Sequence, residues 1–271
     1  MLSSLELEIR SILQQHKAVV YEVPYQICSK FVRGVEKKDN FCGSEEERVP
    51  ASIFRYFFYE KWAAIYNESS SILMADFKDV IFQSNPFIFH NDQWGVDYQL
   101  ILTQEFHPNM VLNRSPQHKE LFRDCYGDAL LDRHGHKTVI SSGTVLGTRN
   151  AILLWCHSLT MQLQEAQGRS DEKRCTQSGI DTAFANYLGY TQKLRNALRI
   201  KIYPQGEGPI NSLGGMRKPR KNTDKMGVFG PLKSFWGLLD GICRFCFSCY
   251  LYIFSVFNLS SAPLTEFDTI R

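Results

Sequence analysis

Asp76 and Asp79 stand three positions apart in ILMADFKDVIFQSNPF (72–87), where a buried-looking apolar run ends. A strand that stops at Asp76 and then turns would bring both carboxylates to one point. Together they offer hard oxygens to magnesium or manganese. A metal held by few protein ligands keeps positions open for a diphosphate and stabilises its charge as a leaving group. The same spacing serves a turn or a helix cap, and Asp-x-x-Asp by itself does not separate these readings.

Other residues carry weaker chemistry. Gly143, behind Ser141 and Ser142, permits either a tight turn or a close backbone approach to a ligand. Asp181 falls in the first turn of a helix expected from 179, where a carboxylate suits the helix dipole. Asp132, His134 and His136 have the types of a metal trio, but DRHGHK reads as a polar loop before a strand. Cys243, Cys246 and Cys249 follow C-x-x-C-x-x-C with no further Cys or His after them, which favours apolar packing or acylation over a metal centre. Sequons at Asn67, Asn113 and Asn258 accept a glycan only in the secretory lumen.

The elements that must position these groups alternate. An amphipathic helix near the start precedes a short strand at 18–23, and PASIFRYFFYEKWAAIYN predicts a helix with Pro50 at its head and Ile53, Phe57, Trp62, Ile65 and Tyr66 on its apolar face. Strands follow at 71–75 and 96–104, with two short β-runs around Gly143 in 138–148. Helices are expected at 149–167, with Ile152, Trp155, Cys156, Leu159 and Leu163 inward, and from 179. This rhythm predicts an α/β domain with a mixed, mostly parallel sheet flanked by helices. It spans 1–215, followed by a basic linker at 216–233 and an apolar tail at 234–271 with a membrane helix or buried helix at 235–258. If that helix spans a membrane, the basic flank favours a cytosolic face for the main domain.

Composition narrows the field. In 271 residues, 44% apolar content supports a sizeable core, and 31 basic against 28 acidic residues leave no global field that demands nucleic acid as partner. The eight cysteines lack the density of a small disulfide framework, so the redox compartment stays open.

Three ordered blocks carry a resemblance. ADFKDVIFQSNPF resembles the D-x-R-D-V-x-F-Q-x-D-P-F signature of nucleotide-diphospho-sugar glycosyltransferases with the GT-A fold. VISSGTVLGTRNAI looks like their C/S-S-G-x-x-x-G block, and CTQSGIDTAFANYLGY is similar to G-x-D-Q-x-x-x-N-Y-L. The likeness covers about residues 50–215, with IYPQGEGPINSLGG in the place of the segment after the last block.

The resemblance implies a GT-A-like, Rossmann-like fold and a metal-dependent transferase that moves a hexose from a nucleotide-sugar donor to a glycan or protein acceptor. Asp76 and Asp79 would hold manganese or magnesium and the donor diphosphate. Lys78, Ser142, Gly143 and Thr144 would meet the donor, and Asp181 would act beside the reacting sugar. The family works in the Golgi or endoplasmic reticulum. Thr182 stands where the family has Gln, and no histidine follows His157 to supply the family's later V-H-Q ligand. With no counterpart to the family's opening strand either, the chain reads as truncated at both ends. The alternative function is a catalytically inactive, membrane-associated interaction protein working through 217–258.

Overall fold

A strand whose faces are both covered reads as an unbroken apolar run, and SILMAD does so because helices pack on one side of it and a small second sheet on the other. The computed structural model describes residues 51–76, 80–87, 98–106, 110–167, 175, 179–212 and 252–257, all within one compact unit. In chain order these form α1 (Ala51–Ala64), β1 (Ser71–Asp76), β2 (Val80–Phe82), β3 (Leu100–Gln104), α2 (Pro116–His134), β4 (Ile140–Thr148) and α3 (Arg149–Gln167). Then follow α4 (Ile180–Tyr190), α5 (Gln192–Arg195), β5 (Ile200–Tyr203), β6 (Ile210–Ser212) and β7 (Tyr252–Phe257).

The main sheet has the order β5-β3-β4-β1-β7, and β2 pairs with β6 in a second, two-stranded sheet. The α/β character stands, but the expected mostly parallel sheet is corrected. Only β3 and β5 pair in parallel; β4 inserts between β3 and β1 against the direction of both, and β7 runs against β1. Strands β5, β3 and β1 therefore share a direction. The reversed β4 turns their neighbour pairings antiparallel, which sequence periodicity cannot see because side chains alternate identically in both arrangements.

The tail also differs from expectation. Residues 252–257 form an antiparallel strand on the outer edge of β1, with Tyr252 opposite Asp76, instead of the end of a helix. YIFSVF is rich in aromatic and β-branched residues, and the free backbone groups along β1 offer it a ladder. The remainder of the expected 235–258 helix, the 216–233 linker and the strand at 18–23 lie outside the described residues. Among the described residues, no helix is long and apolar enough to cross a membrane.

Alternation sorts the core into two layers. Leu73, Ile101 and Leu146 meet Phe87, Tyr203 and Ile210 on one face. On the other, Met74 reaches Cys156 of α3 at 3.7 Å, and Ile152, Trp155, Cys156, Leu159 and Leu163 are all fully buried, as predicted. Helix α1 packs against α3, and α2 against α4. Helix α1 is rotated from its expected face: Ile53, Phe54, Arg55, Tyr56, Tyr59 and Ala63 point inward, whereas Ile65, beyond the last turn, is exposed. Helix α2 was not expected, because Gly127 at φ 78° kinks it midway and breaks the apolar period between Cys125 and Leu131.

Candidate functional site

The three blocks that are far apart in sequence meet around Arg55. This arginine sits on α1, 7% exposed, in a setting where an unpaired charge would be costly. It makes a close ion pair through Nη1 with Asp76 Oδ1. Its Nη2 donates to Asp181 Oδ2 at 2.9 Å and to the Ser142 carbonyl at 3.3 Å. The neighbouring Tyr56 hydroxyl donates to the same Ser142 carbonyl at 2.8 Å. One planar guanidinium thus bridges β1, β4 and α4, a task suited to arginine's fork and not to lysine's point charge.

Each partner is delivered by a local feature. Asp76 is the last residue of β1, and its side chain remains 35% accessible. Ser142 and Gly143 lie in β4 where its pairing with β3 shifts register, between the matches Leu102 to Val145 and Gln104 to Ile140. The two short runs expected around Gly143 are therefore one irregular strand, held in line because Thr144 still faces Ala75 of β1. Asp181 occupies the first turn of α4, as expected, and is 3% exposed.

Asn186 locks this helix to β4 and was missed as a positioning group. Its Oδ1 accepts from the Ile140 backbone N–H at 2.8 Å, and its Nδ2 donates to the Ile140 carbonyl at 3.2 Å and the Thr182 carbonyl at 2.7 Å. The side-chain amide copies a strand neighbour. Its place in ANYLGY, residues 185–190, was the available signal. Thr182 also touches β4, with its Oγ1 3.1 Å from Ser142 Oγ.

Gly143 explains why these blocks approach so closely. A Cβ there would lie 2.2 Å from Asp76 Oδ2 and 2.6 Å from its Cγ. Gly143→Ala is expected to push Asp76 off Arg55 and to cost about 1–3 kcal/mol, the usual range for overpacking. An unchanged melting temperature in that variant would refute this.

The electrostatics are coherent. Burial pulls the Arg55 pKa down, but Tyr56, Asp76, Asp181 and Tyr59 more than reverse this, so it ends well above its ordinary value and the side chain stays charged. Burial pushes the Tyr56 phenol far up, against the pull of Arg55, and keeps it a neutral donor. His118 of α2 is shifted down by burial, with Asp181 opposing. Arg55 against Asp76 and Asp181 leaves one net negative charge in the cluster.

Among the remaining expected residues, Thr144 is buried, and Ser142 is half-buried. Lys78 and Asp79 lie outside the described residues, as do Cys243, Cys246 and Cys249. Among the described residues, no three His, Cys, Asp or Glu side chains group to hold a metal ion, so Asp132, His134 and His136 make no such centre. One further link reaches the site: Cys125 of α2 and Cys175, ahead of α4, form a disulfide. Beside it Tyr126 stacks on Tyr187 of α4, with ring centroids 4.1 Å apart.

No family model, curated protein or solved structure matches this chain.

Proposed function

We propose that this domain is a metal-dependent glycosyltransferase that moves a hexose from a nucleotide-sugar donor to a glycan or protein hydroxyl. The observation that carries the reading is the convergence of Asp76, Ser142 and Asp181 on Arg55, since these three positions come from the three resembling blocks. A GT-A-like identity is part of the proposal, as is a lumenal setting in the Golgi or endoplasmic reticulum. The Cys125–Cys175 disulfide supports such a setting because disulfides persist chiefly in oxidising compartments.

Charge argues for the metal. A diphosphate is repelled by a cluster carrying one net negative charge, and adding a divalent cation reverses that sign. Asp76 is the hard oxygen donor of the cluster whose side chain stays accessible; its Oδ1 is engaged by Arg55 and its Oδ2 lies against Gly143, so an ion there would compete with these contacts. Asp76, with Asp79 after it, would hold magnesium or manganese, which when bound supplies positive charge to the diphosphate leaving group.

The chain's own residues then do the positioning. Arg55 fixes the Asp76 carboxylate, and Gly143 leaves room for it. Asp181, buried and bonded to Arg55, acts through that arginine on the donor side instead of reaching the sugar directly. Ser142 presents its half-buried hydroxyl next to Thr182, in the place where the resemblance puts donor contact.

The test measures manganese-dependent binding of uridine and guanosine diphosphates by calorimetry, alongside hydrolysis of the corresponding nucleotide sugars. Asp76→Ala combined with Asp79→Ala is expected to abolish metal-dependent binding and to lower turnover by about 100-fold or more. Absence of both binding and turnover in the unaltered chain would sink the proposal.

A second reading, the inactive interaction protein, is favoured by one observation. Strand β7 pairs along β1, with Tyr252 opposite Asp76, and occupies that edge of the sheet. Diphosphate binding without turnover, restored by no acceptor, would favour this reading.

A further inference from the structure

The connection between α1 and β1 contains Asn67-Glu68-Ser69, a sequon whose three residues are all exposed. Asn67 Oδ1 accepts from the Ser69 backbone N–H at 3.0 Å and from Ser69 Oγ at 3.0 Å. The Ser70 N–H donates to the Asn67 carbonyl at 2.9 Å and closes the turn. These bonds link near neighbours, so the turn can form without the sheet. Donation into Oδ1 draws electron density from the amide and makes the Nδ2 protons easier to lose.

A separate observation supplies the compartment. A disulfide such as Cys125–Cys175 forms under oxidising conditions, and the secretory lumen both provides these and modifies Asn-x-Ser sequons. We infer that Asn67 is N-glycosylated. In the step, Asn67 Nδ2 bonds to the anomeric carbon of an oligosaccharide carried on a lipid diphosphate. The anomeric C–O bond to phosphate breaks, the lipid diphosphate leaves with the electron pair, and one Nδ2 proton passes to a base of the membrane transferase. The folded domain accommodates the product, because the acceptor lies in an exposed turn and not in the core.

Asn113 provides the contrast within the same chain. Its sequon serine, Ser115, is held through Oγ by His118 Nδ1 at 2.7 Å, and Pro116 opens α2 immediately after it. The Asn113 backbone N–H is also tied to the Gly135 carbonyl at 2.9 Å. The Ser115 hydroxyl is committed to the His118 ring and not to the asparagine. This inference does not rest on the proposed transferase activity.

The full chain expressed in cultured eukaryotic cells would be treated with peptide N-glycosidase F and its peptides mapped by mass. The expected result is an enzyme-sensitive glycan on the Asn67 peptide, lost in Asn67→Gln, retained in Ser69→Thr and unaffected by Asn113→Gln. An unmodified Asn67 peptide in the full chain overturns the inference, whatever happens at Asn113. Loss of the Asn67 glycan in Ser69→Thr overturns it too, because threonine preserves the acceptor chemistry.

Discussion

Arg55→Met is expected to cost about 3–5 kcal/mol of folding stability, the range for removing one partner from a buried ion pair. For a domain of this size that corresponds to a fall in melting temperature on the order of 10 °C. The larger share comes from Asp181, whose side chain is 5% accessible and would lose its cation in a site water does not reach. Asp76 contributes less, since its 35% accessible side chain can be solvated in part. Arg55→Lys should fall in between, because an ammonium keeps the charge but cannot face Asp76, Asp181 and the Ser142 carbonyl together. Adding Asp181→Asn to Arg55→Met should recover a substantial part of the loss, and that non-additivity is the signature of a coupled network as opposed to simple loss of packing. Thermal melts of these four proteins and of Asp181→Asn alone check the prediction. Equal melting temperatures for Arg55→Met and the unaltered chain would refute it.

Reduction of the Cys125–Cys175 bond is expected to have an effect of similar size. The two cysteines are 50 positions apart, and a loop of that length corresponds to about 4 kcal/mol in the chain-entropy treatment, within a usual range of about 2–5. The bond ties α2 to the approach to α4, the helix that carries Asp181 and is anchored by Asn186, so its loss should loosen the site before the far end of the sheet. Reductant should lower the melting temperature of the unaltered chain by more than it lowers that of a Cys125→Ser plus Cys175→Ser variant. Hydrogen exchange should show the gain in exchange concentrated in α2 and α4. A reductant-insensitive melt of the unaltered chain would contradict the pairing. Cys156 does not confuse the experiment, because burial raises its thiol pKa well above the ordinary value and keeps it unreactive.

Much of the local structure was legible because local rules governed it. The run 71–76, the helix 149–167 with its five inward residues, and Asp181 in the first turn of α4 all followed from apolar period and helix-start chemistry. Asp76, Ser142 and Asp181 were also singled out, although nothing local required them to meet. Arg55 escaped notice. A single arginine within SIFRYFFYEKW reads as the solvated edge of an aromatic helix, and only the inward set Tyr56, Tyr59 and Ala63, spaced as one face, hints that its neighbours are buried. The Cys125–Cys175 pair escaped for a related reason, since spacing does not reveal which of eight scattered cysteines become neighbours.

By itself, the sequence determined the strand that ends at Asp76, the helix over 149–167 with its inward face, the place of Asp181 in a helix's first turn, and the spacing of Asn67 and Ser69. Those are properties of a few adjacent residues, decided by periodicity, caps and turns. Only the tertiary structure decided that β4 runs against both its neighbours, that 252–257 pair with β1, and that one buried arginine holds Asp76 and Asp181 together. Strand direction leaves the alternation of side chains unchanged, and an ion pair between positions 55 and 181 depends on packing across the whole sheet, so neither leaves a mark at short range.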